Sequence, residues 1–242
     1  MALIHLPHPE LATYASPSAL LKARQIRDYL LRLRRGLERG IERGWPKATL
    51  FVLDEPEWRT QLRLPYGYPV ARVRGERAVY VPRDLPERLE YRILEALTAA
   101  RTSPPGPPHE LIDLASGHEY AHVLAVGRGI LAAARWADEL IANGLWVLGL
   151  AQGDRAALER VARWAEVLAR IPLTHPRPRN LTEELALTGR SLLACLRETD
   201  RCREVLTRIL NAKLPPGRVR AMLEPWRKWL RPDGSPATPS NE

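Results

Sequence analysis

The sequence predicts an α+β fold that is mostly helical, with a small antiparallel sheet packed near one motif-bearing helix and a C-terminal helical bundle. Strand-like runs are confined to residues 48–81, and apolar residues recur at helical spacing through most of the remainder. Proline- or glycine-rich breaks cut those periodic stretches into ordinary helix lengths.

The first expected helix covers 17–44: Ser18 can cap it, and Leu20, Leu21, Ile26, Leu30, Leu31, Leu33, Leu37 and Ile41 supply an apolar stripe that ends at Gly44-Trp45-Pro46. Ala48–Leu53 reads as a strand. After the turn-rich stretch 64–69, Val70–Val73 and Ala78–Val81 flank the hairpin turn Arg74-Gly75-Glu76, which makes the expected sheet antiparallel. A helix over 87–100 leads into Ser103–Pro108, where the prolines forbid continuation, and the next helix starts near Pro108 with Glu110 at its positive end. Beyond Gly153, helices are expected at 154–171, 181–197, 199–212 and 216–230, with 174–179 as the longest irregular interruption. The organisation that follows is an N-terminal helical segment (1–46), a core (47–150), a C-terminal helical region (151–231) and a disordered tail (232–242).

With 242 residues the chain can bury a sizeable core without disulfides. Cys195 and Cys202 lack metal-site spacing and on one continuous helix would stand about 10 Å apart, so they read as reduced thiols. The N-terminus has no basic start followed by an apolar run, and no stretch reaches membrane-spanning length, so the expectation is a cytoplasmic protein with no membrane partner. The net charge of +9 invites a nucleic-acid partner. Basic against acidic residues number 20 to 17 over 1–150 and 17 to 11 beyond, however, and stretches such as LRRGLERGIERG interleave the two signs, which favours a solvated surface laced with ion pairs. A helix-turn-helix at the C-terminus is disfavoured by the proline-rich Lys213–Gly217 connection, and Leu223, Trp226, Trp229 and Leu230 read as a packing stripe.

One pentapeptide carries specific chemistry: His118-Glu119-Tyr120-Ala121-His122. Histidines four apart on a helix share a face, so both imidazoles can reach one tetrahedral zinc ion (Zn2+) while Glu119 sits beside its open position. The flanks are uncharged or apolar and contain no proline, as a largely buried helix requires. A third ligand is needed. In Trp136-Ala137-Asp138-Glu139-Leu140, a carboxylate in an apolar helix packing is costly unless paired or metal-bound. Glu139 is the expected ligand, because Ala142, Asn143 and Trp146 continue its face; Asp138 is the competitor.

These residues resemble the gluzincin metallopeptidases, the thermolysin-like and aminopeptidase-like zinc enzymes in which H-E-x-x-H is followed by a glutamate ligand on the next helix. The similarity spans residues 48–150, with specific motifs at 115–124 and 136–146. It implies a zinc-dependent peptide-bond hydrolase acting on a peptide or protein, with His118, His122 and Glu139 as metal ligands and Glu119 as general base. Where the family often places an acid hydrogen-bonded to a zinc histidine, this chain has Asn143, whose amide oxygen can still accept from an imidazole N–H. The family's tyrosine or histidine after the ligands has no tyrosine counterpart here, which leaves His175, or Arg128 or Arg135, as candidate oxyanion stabilisers. The family's substrate-holding sheet edge corresponds to Ala78–Val81 as the expected edge strand.

Zinc geometry also constrains the connection between the two helices. A partner helix beginning at Gly129 would carry Glu139 roughly 15 Å from the turn, past the metal. The connection is therefore expected to occupy much of 127–134, with the ligand helix starting near Arg135. Two other readings stay open: a catalytically degenerate, peptidase-like zinc protein that binds peptides or proteins, and a basic helical protein that binds nucleic acid.

Overall fold

The computed structural model describes residues 2–132, 134–173 and 180–230. Five strands, β1 (Ile4–Leu6), β2 (Leu11–Ala15), β3 (Ala48–Leu53), β4 (Val70–Arg72) and β5 (Ala78–Pro82), form one sheet in the order β1-β2-β3-β5-β4. The long helix α1 (Leu20–Gly40) carries the chain from the end of β2 back to the start of β3, so these strands run parallel, as a crossover connection requires. β3 and β5 are also parallel, while the β1–β2 and β4–β5 pairs are antiparallel.

The α+β, mostly helical class is present, with three corrections to the sequence reading. The sheet is mixed rather than antiparallel, because α1 acts as a crossover. The segment 1–46 is not purely helical, since it contributes β1 and β2. Ala78–Val81 is not the edge: β5 lies between β3 and β4 and is buried along its length, and β4 is the outer strand.

One sheet face presents Leu11, Ala15, Leu50, Val52, Val79 and Val81 to the main core, which continues through the helices to Leu223 and Trp226. The opposite face packs Leu53, Ala78 and Tyr80 against Trp58 of α2 (Glu55–Gln61) and Leu62. Across that face His5, Tyr14, Phe51 and Tyr80 stack in a row on four neighbouring strands, at centroid distances of 4.7, 5.3 and 4.6 Å.

The remaining helices are α3 (Glu87–Ala99), α4 (Pro108–Gly127), α5 (Arg135–Gly153), α6 (Arg155–Leu168), α7 (Leu181–Arg197), α8 (Thr199–Ala212) and α9 (Pro216–Leu223), the last followed by a 3-10 turn over Glu224–Leu230. Asp154 and Asn180 cap α6 and α7 by accepting from the N–H groups of Ala157 and Glu183, both at 3.0 Å. α5 lies against α1 at backbone contact: a Cβ on Gly36 would collide with the Gly149 carbonyl, and one on Gly153 with the Arg32 carbonyl. This close approach fixes the depth of α5, and hence of Glu139, relative to the rest of the core.

Leu223, Trp226 and Leu230 are buried, as a packing stripe requires. The side chain of Trp229, and the tail from Pro232, lie outside the described residues. The break between α7 and α8 at Glu198 folds Cys195 and Cys202 into contact, closer than a continuous helix would allow, and both remain free thiols. Among the described residues no helix is long and apolar enough to cross a membrane.

Candidate metal centre

α4 is apolar on nearly all sides because it is wedged between the sheet and the other helices, and it starts at Pro108 as its proline-rich approach dictates. The residue before the first histidine is Gly117, and its lack of a side chain is required. A Cβ there would strike the Tyr29 hydroxyl and the Trp146 indole nitrogen. Those two groups are themselves locked: Trp146 Nε1 donates to the Tyr29 hydroxyl at 2.6 Å, and Tyr29 donates to the Leu114 carbonyl at 3.1 Å.

α4 ends at Gly127, and Gly129, at φ +76°, turns the chain in the left-handed region. α5 then begins at Arg135, so the connection occupies the stretch that metal geometry demanded. Asp138, the competing acid, spends its carboxylate on the Ala132 N–H at 3.0 Å and thereby ties the connection to the first turn of α5. Glu139 faces the histidines. His118 Nε2 lies 3.1 Å from Glu139 Oε2 and 3.1 Å from His122 Nε2, and His122 Nε2 lies 3.5 Å from Glu139 Oε2.

These separations can be tested against a metal. A tetrahedral ion with bonds of about 2.0–2.1 Å places its ligand atoms about 3.3 Å apart, which is the spacing of this triangle. The protonation pattern agrees. Asn143 Nδ2 donates to Ser191 Oγ at 3.0 Å, which leaves its oxygen 2.8 Å from His118 Nδ1. Nδ1 therefore carries the proton, and Nε2 of the neutral ring offers a lone pair to the centre. Nε2 of His118, Nε2 of His122 and one carboxylate oxygen of Glu139 converge on one point, where a single cation could be held by all three. Burial disfavours an imidazolium at His118, yet the adjacent Glu139 carboxylate outweighs it and raises the pKa. Burial alone would raise Glu139, but the hydrogen bonds and charges of His118 and His122 hold its carboxyl well below the usual range. Among the described residues, His118, His122 and Glu139 are the one group of three or more His, Cys, Asp or Glu side chains placed to hold a metal ion.

Glu119 stands apart from these three side chains. It is half-buried, and its Oε2 accepts the N–H of Ala71 on β4 at 2.8 Å. Burial pushes its carboxyl above the usual range, against the opposing influence of the two histidines. The centre thus lies between the α4–α5 pair and the outer strand of the sheet.

Other candidates separate cleanly. Arg128 is engaged by Glu42, the Gly44 carbonyl and the ring of Trp45, which draws it away from the centre. Arg135 bridges Glu184 at 3.1 Å and approaches the second oxygen of Glu139 at 3.9 Å. His175 lies outside the described residues. Three contributors were not legible in the sequence: Ala71, whose role is its backbone; Ser191, which orients Asn143 from a helix 48 residues away; and Tyr68. Tyr68 precedes β4 and lines a small cavity together with His118. Burial, reinforced by the negative charges of Glu119, Glu139 and Glu184, raises its hydroxyl pKa, so it stays protonated at neutral pH.

A scan against protein-family models, a search of curated proteins and a search of solved structures each find no match for this chain.

Proposed function

We propose that this protein is a zinc-dependent peptide-bond hydrolase. The observation that carries the reading is the triangle of His118, His122 and Glu139, spaced as tetrahedral ligands, with a carboxylate beside it that does not join the set. Zinc bound there would polarise a scissile carbonyl and bring the pKa of a water toward neutrality. Glu119, with its pKa raised by burial, takes the proton from the attacking water and returns it to the leaving amine. Tyr68 keeps its proton near neutrality and donates a hydrogen bond to the carbonyl oxygen as negative charge develops on it. β4 offers the sheet edge next to Glu119, along which a peptide lies in extended form.

The test is hydrolysis of a broad peptide library by zinc-loaded protein, with Glu119→Gln alongside. The expected result is cleavage by the wild type, with zinc retained and turnover lost in the variant. Unchanged cleavage by Glu119→Gln would remove the proposed base.

A second reading, a zinc protein that binds peptides without cleaving them, draws on Asn143. An amide makes the His118 ligand less basic than a carboxylate would. Stoichiometric zinc with no hydrolysis across the library selects it. The nucleic-acid reading gains no support from the aromatic row on the sheet, because the rings of Tyr14 and Phe51 stack on neighbours at both faces and leave none for a base.

A further inference from the structure

The chain's only two cysteines face each other across the corner between α7 and α8. Cys195 lies in the last turn of α7 and Cys202 in the first turn of α8; both are buried, and their thiols are hydrogen-bonded to each other. The corner that aligns them is pinned. The Thr199 hydroxyl donates to the Leu196 carbonyl at 2.8 Å, and Glu198 Oε2 accepts from Trp226 Nε1 at 2.8 Å and from Arg201 Nη1 at 3.2 Å. α5 supplies the floor. A Cβ at Gly144 would stand 2.8 Å from Cys202 Sγ and 3.9 Å from Cys195 Sγ, so both sulfurs rest over a residue without a side chain.

That floor adjoins the support of the metal centre. Gly144 follows Asn143, whose oxygen meets His118 Nδ1 at 2.8 Å. Ser191, which accepts from Asn143 Nδ2 at 3.0 Å, lies one helical turn before Cys195 on the same face of α7. A sulfur–sulfur bond of about 2.05 Å is much shorter than any non-bonded contact between two sulfurs. Forming it draws the end of α7 toward α8 and shifts the helix that orients Asn143.

We propose that Cys195 and Cys202 are a reversible dithiol–disulfide pair, and that closing it weakens metal binding at the His118 centre through Ser191 and Asn143. The pair stands on its own geometry, whereas the coupling rests on the metal-centre reading. The oxidant is hydrogen peroxide, small enough to enter where bulkier disulfides are kept out. One sulfur attacks a peroxide oxygen, the O–O bond breaks, and water leaves with the thiol proton to give a sulfenic acid. The second sulfur then attacks the first, the S–O bond breaks, and the departing hydroxide takes the second thiol proton as another water. Two thiols thus lose two electrons, and the peroxide becomes two waters. Burial and the neighbouring sulfur keep the Cys195 thiol protonated, so the first step is slow and follows local opening of the corner. Its outcome is set by the partner sulfur, the one thiol in reach.

The test treats zinc-loaded full-length protein with hydrogen peroxide at about pH 8.5, near the ordinary cysteine pKa, and then alkylates the remaining thiols. Cleavage after Arg197 places the two cysteines in separate peptides. Non-reducing mass spectrometry is expected to find those peptides linked within one chain, with the link reversed by dithiothreitol. Zinc affinity, read by competition with a chelator, should fall about 10-fold on oxidation and recover on reduction, the low end of what loss of such an outer partner causes. Cys202→Ser and Cys195→Ser should each hold their zinc affinity through the same treatment, so one well-folded variant suffices. Thiols that stay free, or pass on to sulfinic and sulfonic acids, would overturn the pair. A disulfide that forms with zinc affinity unchanged would overturn the coupling. Reduced protein that takes up no zinc would overturn the metal reading and the coupling with it, while the linked peptides still decide the pair.

Discussion

Asn143 follows Glu139 by one helical turn on α5, and its amide oxygen meets His118 Nδ1 at 2.8 Å. One face of one helix thus supplies both a carboxylate to the centre and the group that sets the tautomer of the opposing histidine. Replacing Asn143 with Ala removes that control and leaves Ser191 without its partner. Zinc affinity, measured by competition with a chelator, should fall about 10–100-fold. Asn143→Asp should match or exceed the wild type, because a carboxylate accepts the same proton and makes the imidazole more basic.

Gly117→Ala drives a methyl group into the Tyr29–Trp146 hydrogen bond behind α4. The cost expected from overpacking is about 1–3 kcal/mol, read from denaturant unfolding. Combining it with Tyr29→Phe, which removes the colliding hydroxyl, should return part of that loss.

Stability of the metal-free protein should depend on pH through the centre itself. Burial opposes charge on both residues, but their mutual attraction lowers the Glu139 pKa from its ordinary 4.5 and raises that of His118 from its ordinary 6.5. A lowered carboxyl pKa contributes stability that is full above 4.5 and is lost as pH falls through the folded value. A raised imidazole pKa contributes stability that is full below 6.5 and is lost as pH rises through the folded value. Both contributions coexist between about 4.5 and 6.5. The thermal midpoint of chelator-treated wild type should exceed that of Glu139→Gln most within this window, and a difference that is constant with pH contradicts the coupling.

Tyr68→Phe keeps the ring that lines the cavity and deletes the hydroxyl whose pKa burial and the charges of Glu119 and Glu139 raise. Peptide hydrolysis should lose about 10²–10³ in kcat, with zinc content unchanged and KM little affected, as expected for a donor that acts on developing charge. An unaltered kcat assigns the hydroxyl no part in the reaction.

The helices and their breaks were legible because each has a local cause: Pro108 starts α4, and Asn180 caps α7. The start of α5 at Arg135 followed from the reach of Glu139 alone, although the alanines before it favour helix. The sheet was misread because β1 and β2 are short and owe their places to pairing. β2 is a strand through its partnership with β3, made parallel by α1, which no local pattern announces. The same displacement put β5 inside and β4 outside. At the centre, His118, Glu119, His122 and Glu139 were readable from spacing, and Asn143 from the gluzincin resemblance, since two helices carry them all. Tyr68 and Ser191 reach the site from a loop and a separate helix, so only the folded chain reveals them.

The most direct measurement is metal content by mass spectrometry, on protein purified without a metal-affinity tag and supplied with zinc. One zinc per chain in the wild type, lost in His118→Ala and in Glu139→Ala with the fold retained, is the predicted result. A wild-type chain that takes up no zinc, or variants that hold it as well as the wild type, would contradict the account.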